Sequence, residues 1–307
     1  MERYAELIKK LNEVVDRANI KLEEPMKNHT YFKVGGPADV LVTPQDINQV
    51  SAVIKICNEN KINYYLIGNG SNLLVKDGGI RGVVIKLTNL NKIDIEGNKI
   101  IVESGATLYD VAERALGAGL KGMEFASGIP GSIGGAAAMN AGAYDGEMSM
   151  VMESMLAIDS DGNLLTLTNG EMELSYRSSA ILKHGHTVVR VTLCLQDGDK
   201  EVIKSRMDHL AKIRSDKQPL EYPSAGSTFK RPEGHYASLL IQECGLKGTC
   251  VGDAQVSEKH SGFIINRKNS SAKDILDLII IVQNQVEEKF GVKLYTEVKI
   301  WGEDLQH

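Results

Sequence analysis

Four cysteines occur in 307 residues, Cys57, Cys194, Cys244 and Cys250, and none forms a C-x-x-C pair. That spacing excludes a paired-thiolate zinc site and a disulfide framework, and it fits a reducing compartment. The seven histidines form no H-x-x-x-H or H-E-x-x-H pattern, so no metal is expected. The longest apolar run, Ile275 to Val282, is interrupted by Asp277 and is far too short to span a bilayer. The N-terminus, M-E-R-Y-A-E-L-I-K-K, lacks the apolar stretch of a secretory signal, so a cytoplasmic protein is expected. No basic tract stands out against a net charge of −5, which argues against nucleic acid and anionic membrane as partners. G-x-x-x-x-G-K-[ST] and G-x-S-x-G are both absent, excluding a P-loop and a hydrolase nucleophile elbow.

What is present is glycine in two places. Gly122 to Gly146 holds seven glycines in 25 residues, at a conformational cost that close backbone approach would justify. Pro130 and the small residues from Gly131 to Met139 suit a tight turn entering a short helix. Such a turn either packs closely against a neighbour or turns its amides toward an anion. The second place is G-N-G-S-N-L-L-V, Gly68 to Val75, after the strand Y-Y-L-I. It fails the Rossmann fingerprint twice: Leu73 occupies the third glycine position, and the chain runs on into another strand rather than a helix.

Around these loops the pattern alternates between helix and strand. Residues 2–18 read as an amphipathic helix, with Leu7, Leu11, Val14, Val15 and Ala18 on one face. A-D-V-L-V is a strand, and Thr43 with Pro44 opens a helix carrying Ile47, Val50, Ile54 and Cys57. Residues 92–103 read as a hairpin about Gly97–Asn98, and Thr107 with Asp110 caps a helix reaching about Ala118. Strands follow at 149–159, 164–168 and 187–195, with Arg177 in the polar stretch E-L-S-Y-R-S-S-A between the last two. A charged helix over 201–215 leads to a proline-punctuated link, the best boundary in the chain. Beyond it come a helix over 237–244 ending at Gly245, a strand G-F-I-I-N, and a helix from Ser271 and Asp274 to Phe290. The alternating K-L-Y-T-E-V-K-I-W reads as a late strand returning to the first domain.

Among polar residues, His29 reads as a hydrogen-bonding loop residue. Ser227, in S-A-G-S-T-F-K-R-P, is either a turn residue or a proton donor beside Lys230 and Arg231, with Arg214 and Lys217 upstream. Glu297 is either a surface residue or a carboxylate aimed into a cleft.

Six segments together resemble one family. N-H-T-Y-F-K-V-G-G-P-A, G-N-G-S-N-L-L-V, G-I-P-G-S-I-G-G-A-A-A-M-N-A-G-A-Y, Y-R-S-S, A-G-S-T-F-K-R-P and L-Y-T-E-V occur in the order found in UDP-N-acetylenolpyruvoylglucosamine reductases of bacterial peptidoglycan-precursor synthesis. The resemblance implies an α+β fold: an FAD-binding type-2 (vanillyl-alcohol-oxidase-like) pair of subdomains plus an α+β substrate domain. The expected division is 1–88 with 293–307, then 89–200, then 201–292. It implies non-covalent FAD held by Gly68, Asn69, Gly70, Ser71, Asn72 and Leu73 and by Ile129, Pro130, Gly131, Ser132, Gly134 and Gly135, with Ala141, Gly142 and Tyr144 nearby.

It further implies NADPH as co-substrate and UDP-N-acetylenolpyruvoylglucosamine as the molecule reduced. Arg177 matches the arginine that stabilises the enolate. Glu297 matches its partner carboxylate, acting protonated or through Arg177, and Ser227 matches the proton donor. Tyr144, Lys217, Lys230 and Arg231 fall to substrate binding. The segment between Thr187 and Ser227 leaves no room for the tyrosine loop of the longer form, so the chain resembles the shorter, second type; Arg231 stands where the longer form has asparagine. Other readings are a different oxidase of the same FAD superfamily, or an inactive UDP-sugar-binding relative. Neither Gly-rich loop carries the His or Cys that tethers flavin in many such oxidases.

Overall fold

The computed structural model describes residues 4–305, which form two compact units. Unit 1 comprises residues 4–22, Val40–Asn69 and Gly82–Ile213; unit 2 comprises Glu23–Asp39, Gly70–Arg81 and residues 214–305. The chain passes between them inside the strands Ile20–Pro25, Pro37–Val42 and Ile80–Lys86. With Tyr64–Ile67, these strands form a four-stranded sheet in the order 20–25, 37–42, 80–86, 64–67.

Unit 1 holds two apolar cores. One packs the helices Ala5–Val14 and Ile47–Glu59 through Leu7, Leu11, Val50, Val53, Ile54 and Cys57 against Val40, Val42, Val83 and Ile85. The N-terminal helix is shorter than its periodicity suggests. Val15 is already extended at φ −129°, and Ala18 falls in a single 3-10 turn, Arg17–Asn19. The next helix starts at Ile47 rather than at Thr43–Pro44. Asp46 accepts from Gln49 N at 2.9 Å as its N-cap, whereas Thr43 N is already bonded to Asn19 O. The other core lies on an antiparallel sheet of five strands, ordered 164–168, 152–158, 187–194, 99–103, 93–96. Its edge hairpin turns at Gly97–Asn98, with Glu96 opposite Lys99. The strand expected from Ser149 begins at Met152, because Met148–Met150 forms a 3-10 turn.

Unit 2 packs the helices Ala237–Glu243 and Ala272–Phe290 against a three-stranded antiparallel sheet, 250–251, 254–256, 264–266. The long helix opens with a full capping box, Ser271 with Asp274. Its next two amides, of Ala272 and Lys273, donate to the Asp77 carboxylate at 2.8 and 2.9 Å. The last expected strand is broken. Thr296 bridges Phe229, while only Lys299–Trp301 forms a strand, parallel to Leu73–Val75 in the same unit.

Candidate active site

The two Gly-rich loops meet in unit 1. A Cβ on Gly68 would overlap Ser132 Oγ and come within 3.1 Å of Ser132 Cβ, so the two loops are in close contact there. The second loop is pinned by backbone bonds: Leu108 N to Gly131 O at 3.0 Å, Ile133 N to Ala106 O at 2.9 Å and Gly134 N to Ser104 O at 2.9 Å. These bonds leave the amides of Gly131, Ser132 and Gly135 without a backbone acceptor among the described residues. Ser132 precedes the short helix Ile133–Ala138 with a hydroxyl that makes no cap bond, and the buried Ser104 Oγ also lacks a partner. Small residues, free amides and orphaned hydroxyls make a cradle suited to an anionic cofactor group. Ile129 is half-buried beside the loop and Pro130 is exposed.

The first loop continues in unit 2. Gly70 adopts φ +67°, and a Cβ there would overlap His29 O; His29 Nε2 in turn lies 2.8 Å from Glu24 Oε1. Ser71 is half-buried and Leu73 is buried in the strand Leu73–Val75. Asn72 joins this loop to the segment that carries Glu297. Its Nδ2 donates to Glu297 O at 3.2 Å, and its own carbonyl accepts from Lys299 N at 3.0 Å.

Ser227 lies on the other side of that segment. The neighbouring Thr228 O accepts from both Glu297 N, at 2.8 Å, and Val298 N, at 3.5 Å. Two successive amides therefore oppose one carbonyl, a bulge at Glu297 that lies between the Phe229–Thr296 bridge and the strand Lys299–Trp301. Thr228 is fully buried: its amide donates to Gly262 O at 2.8 Å and its Oγ1 accepts from Ile264 N at 3.1 Å. Ser227 is thus an exposed hydroxyl on a backbone held from both sides, next to half-buried Glu297. Lys230 N donates to Tyr295 O at 2.8 Å, and the Arg231 guanidinium stacks 4.0 Å from the Tyr236 ring centroid. Lys217 is exposed at the end of the helix Lys200–Lys217.

Arg177 belongs to unit 1, in a two-residue turn closed by Ser175 N to Ser178 O and Ser178 N to Ser175 O, both 3.1 Å. It has φ +54°, and its guanidinium lies 5.0 Å from the Tyr176 ring centroid. Tyr144 also has a left-handed φ, +58°, in the hairpin that pairs Ala143 with Gly146 and Gly142 with Glu147. Its hydroxyl donates to Leu210 O at 3.1 Å. Left-handed φ in bulky residues costs roughly 1–2 kcal/mol each, and such strain gathers at functional sites. Ala141 N donates to Ala136 O, tying this hairpin to the short helix.

Sequence reasoning passed over Asn140, which is 1% exposed and bonds to both turns. Its one signal was an asparagine inside a run of small residues. A cavity of about 390 Å³ in unit 1, lined by Lys121, Phe125, Asp145, Met150, Cys194 and Arg206, contains none of the expected site residues. Among the described residues no group of three or more His, Cys, Asp or Glu is arranged to hold a metal, and no helix is long and apolar enough to cross a membrane.

Fold and loops together define an FAD-domain protein. Residues 38–168 match the family described as FAD binding domain, and residues 218–301 match UDP-N-acetylenolpyruvoylglucosamine reductase, C-terminal domain. The chain is 59% identical over 304 residues to the UDP-N-acetylenolpyruvoylglucosamine reductase of Clostridium kluyveri (strain NBRC 12016), covering 99% of this chain and 100% of that one. It is 57% identical over 307 residues to that of Clostridium novyi (strain NT), with both chains fully covered. The crystal structure of the Thermus caldophilus enzyme superposes with a TM-score of 0.78 at 36% identity, over 92% of this chain and 98% of that one. The chain belongs to the UDP-N-acetylenolpyruvoylglucosamine reductase family. A glucose dehydrogenase, Phl p 4.0202, shares the fold alone, with a TM-score of 0.51 at 14% identity over 64% of this chain and 44% of its own.

Proposed function

We propose that this chain is an NADPH-dependent flavoenzyme that reduces UDP-N-acetylenolpyruvoylglucosamine to UDP-N-acetylmuramate for peptidoglycan-precursor synthesis in the cytoplasm. The observation that carries the reading is in unit 2, where one carbonyl, Thr228 O, fixes the Ser227 loop against the bulge bearing Glu297.

FAD fits the Gly-rich cradle. Gly68 to Leu73 and Ile129 to Gly135 would hold it, with backbone amides toward its pyrophosphate and Ala141, Gly142 and Tyr144 alongside. Bound there, it would take hydride from NADPH and supply it to the vinyl carbon of the substrate. The rest of the chemistry falls to side chains. Hydride addition leaves an enolate conjugated with the substrate carboxylate, and the fixed positive charge of Arg177 offsets it. Glu297 acts protonated or through Arg177, since a bare carboxylate would oppose the enolate. Ser227 donates a proton to the α-carbon, completing the reduced lactyl ether, and as an exposed hydroxyl it recovers its proton from water. Lys217, Lys230 and Arg231 bind the diphosphate, whose binding energy orients the small reacting group. In this reading residues 1–88 with 293–307, and 89–200, serve the flavin, and 201–292 serve the substrate.

An anaerobic two-step assay tests it. NADPH should bleach the yellow protein, and the enolpyruvyl sugar should then restore the colour with one equivalent of UDP-N-acetylmuramate. A protein purified without flavin, or reduced protein indifferent to the sugar, would refute the proposal.

A further inference from the structure

We propose that Asn140 is a positioning residue for Arg177, linking the arginine's turn to the end of the second Gly-rich loop. The inference rests on the role given to Arg177 above.

The geometry is specific. Asn140 is 1% exposed and has φ +41°. Its Nδ2 donates to Ser175 O at 3.3 Å and to Glu147 Oε1 at 3.2 Å, while its Oδ1 accepts from Ser149 N at 2.9 Å. One amide thus joins the turn carrying Arg177 to the hairpin carrying Tyr144. Glu147 Oε1 also accepts from Ser149 Oγ, which closes the network. A second tie runs in parallel, Ser179 Oγ to Ala138 O at 2.7 Å, so the Arg177 turn is anchored on both flanks to the helix Ile133–Ala138 and the residues after it.

Only glycine, asparagine or aspartate adopts this backbone at little cost, and of these only asparagine supplies the donors. The Arg177 turn needs the support. It has two backbone bonds of its own, and Arg177 sits in it at φ +54°. Ser175 O accepts both from Ser178 N inside the turn and from Asn140 outside it. Loss of the outer donor frees the turn to relax toward a less strained backbone, displacing the guanidinium. A displacement near 1 Å is enough to cost about 100-fold in a positioned reaction. Asn140 touches neither substrate nor cofactor in this scheme; it acts through the backbone that aims Arg177.

The test uses the full-length flavin-loaded protein and two variants. Asn140→Gly keeps the left-handed backbone and deletes the amide; Asn140→Asp keeps the volume and removes the donors. Stopped-flow traces should show reoxidation by saturating enolpyruvyl sugar slowed about 10- to 100-fold in both, with flavin reduction by NADPH within about 3-fold of the parent. In an Arg177→Ala background, Asn140→Gly should add less than about 2-fold, because both changes remove one function. Hydrogen exchange at the Ser178 amide should quicken at least about 10-fold, with the 93–103 hairpin unaffected. Parallel loss of both half-reactions, full multiplication in the Arg177→Ala background, or unchanged Ser178 exchange would each overturn the proposal. If the parent protein itself ignored the sugar, the functional reading would fail, and Ser178 exchange alone would decide whether Asn140 holds the turn.

Discussion

The same substitution, glycine to alanine, should move stability in opposite directions in two helices of unit 1. Gly117 lies in the helix Leu108–Ala118, is exposed, and a Cβ there meets nothing within 4 Å. Alanine should stabilise it by about 0.5–1 kcal/mol through helix propensity. Gly134 lies in the helix Ile133–Ala138, where the same propensity gain applies. Its added Cβ, however, would stand 2.6 Å from Ser104 Cβ and 3.0 Å from Ser104 O, against an ordinary carbon–carbon contact of about 3.5–4.0 Å. Ser104 cannot easily yield: it is 1% exposed, its amide is bonded to Val189 O at 3.0 Å, and its carbonyl accepts Gly134 N at 2.9 Å. Overpacking of this kind costs roughly 1–3 kcal/mol, and with backbone on the receiving side the upper half applies. Less the propensity gain, Gly134→Ala should lose about 1–2.5 kcal/mol. At roughly 2–4 °C per kcal/mol, the melting midpoint should fall by about 2–10 °C, while that of Gly117→Ala rises by about 1–4 °C. The comparison belongs in flavin-free protein, so that ligand linkage does not enter. A Gly134→Ala protein as stable as the parent would show that the loop is not held by close contact with Ser104.

Three further outcomes follow from the same structure. Ser227→Ala should slow reoxidation by the enolpyruvyl sugar by about 10²-fold or more while leaving flavin reduction by NADPH within about 3-fold; two equally fast half-reactions would remove Ser227 from proton donation. Burial holds the His260 imidazole below its ordinary pKa, with Lys247 acting in the same direction against one backbone hydrogen bond. The unfolded chain therefore takes up the proton first, so the contribution of His260 is full above about pH 6.5 and is lost as pH falls through the folded value. Unfolding midpoints between pH 5 and 7.5 should drop more steeply for the parent than for His260→Gln, and superimposable profiles would contradict this. Burial also pushes the Cys57 thiol up to about 12, whereas Cys194 and Cys250 are exposed. A disulfide reagent at pH 8 should modify the exposed pair quickly and Cys57 only on unfolding; rapid native labelling of Cys57 would mean that its core opens readily.

What the sequence determined by itself was local. Thr107 with Asp110, Ser271 with Asp274 and the Gly97–Asn98 turn are written in neighbouring residues, because a cap or a tight turn closes within about four positions. The six ordered segments likewise sufficed to indicate the family. Even locally, competition decided some details. Asp46, whose carboxylate accepts from Gln49 N, prevailed over Thr43–Pro44 as the helix start, and Thr43 N pairs instead with Asn19 O, a partner that no periodicity reveals.

The tertiary structure alone decided how the site is held together. Spacing left the two Gly-rich loops unconnected, and only the folded chain brings Gly68 against Ser132. It also breaks the expected last strand at Glu297, where an alternating pattern reads straight, because Thr228 O receives two successive amides and Asn72, 225 residues away, takes the Glu297 carbonyl. Asn140 was invisible for the same reason. Its partners are one hairpin ahead and 35 residues ahead, and a buried amide is defined by what surrounds it rather than by its place in a periodic pattern.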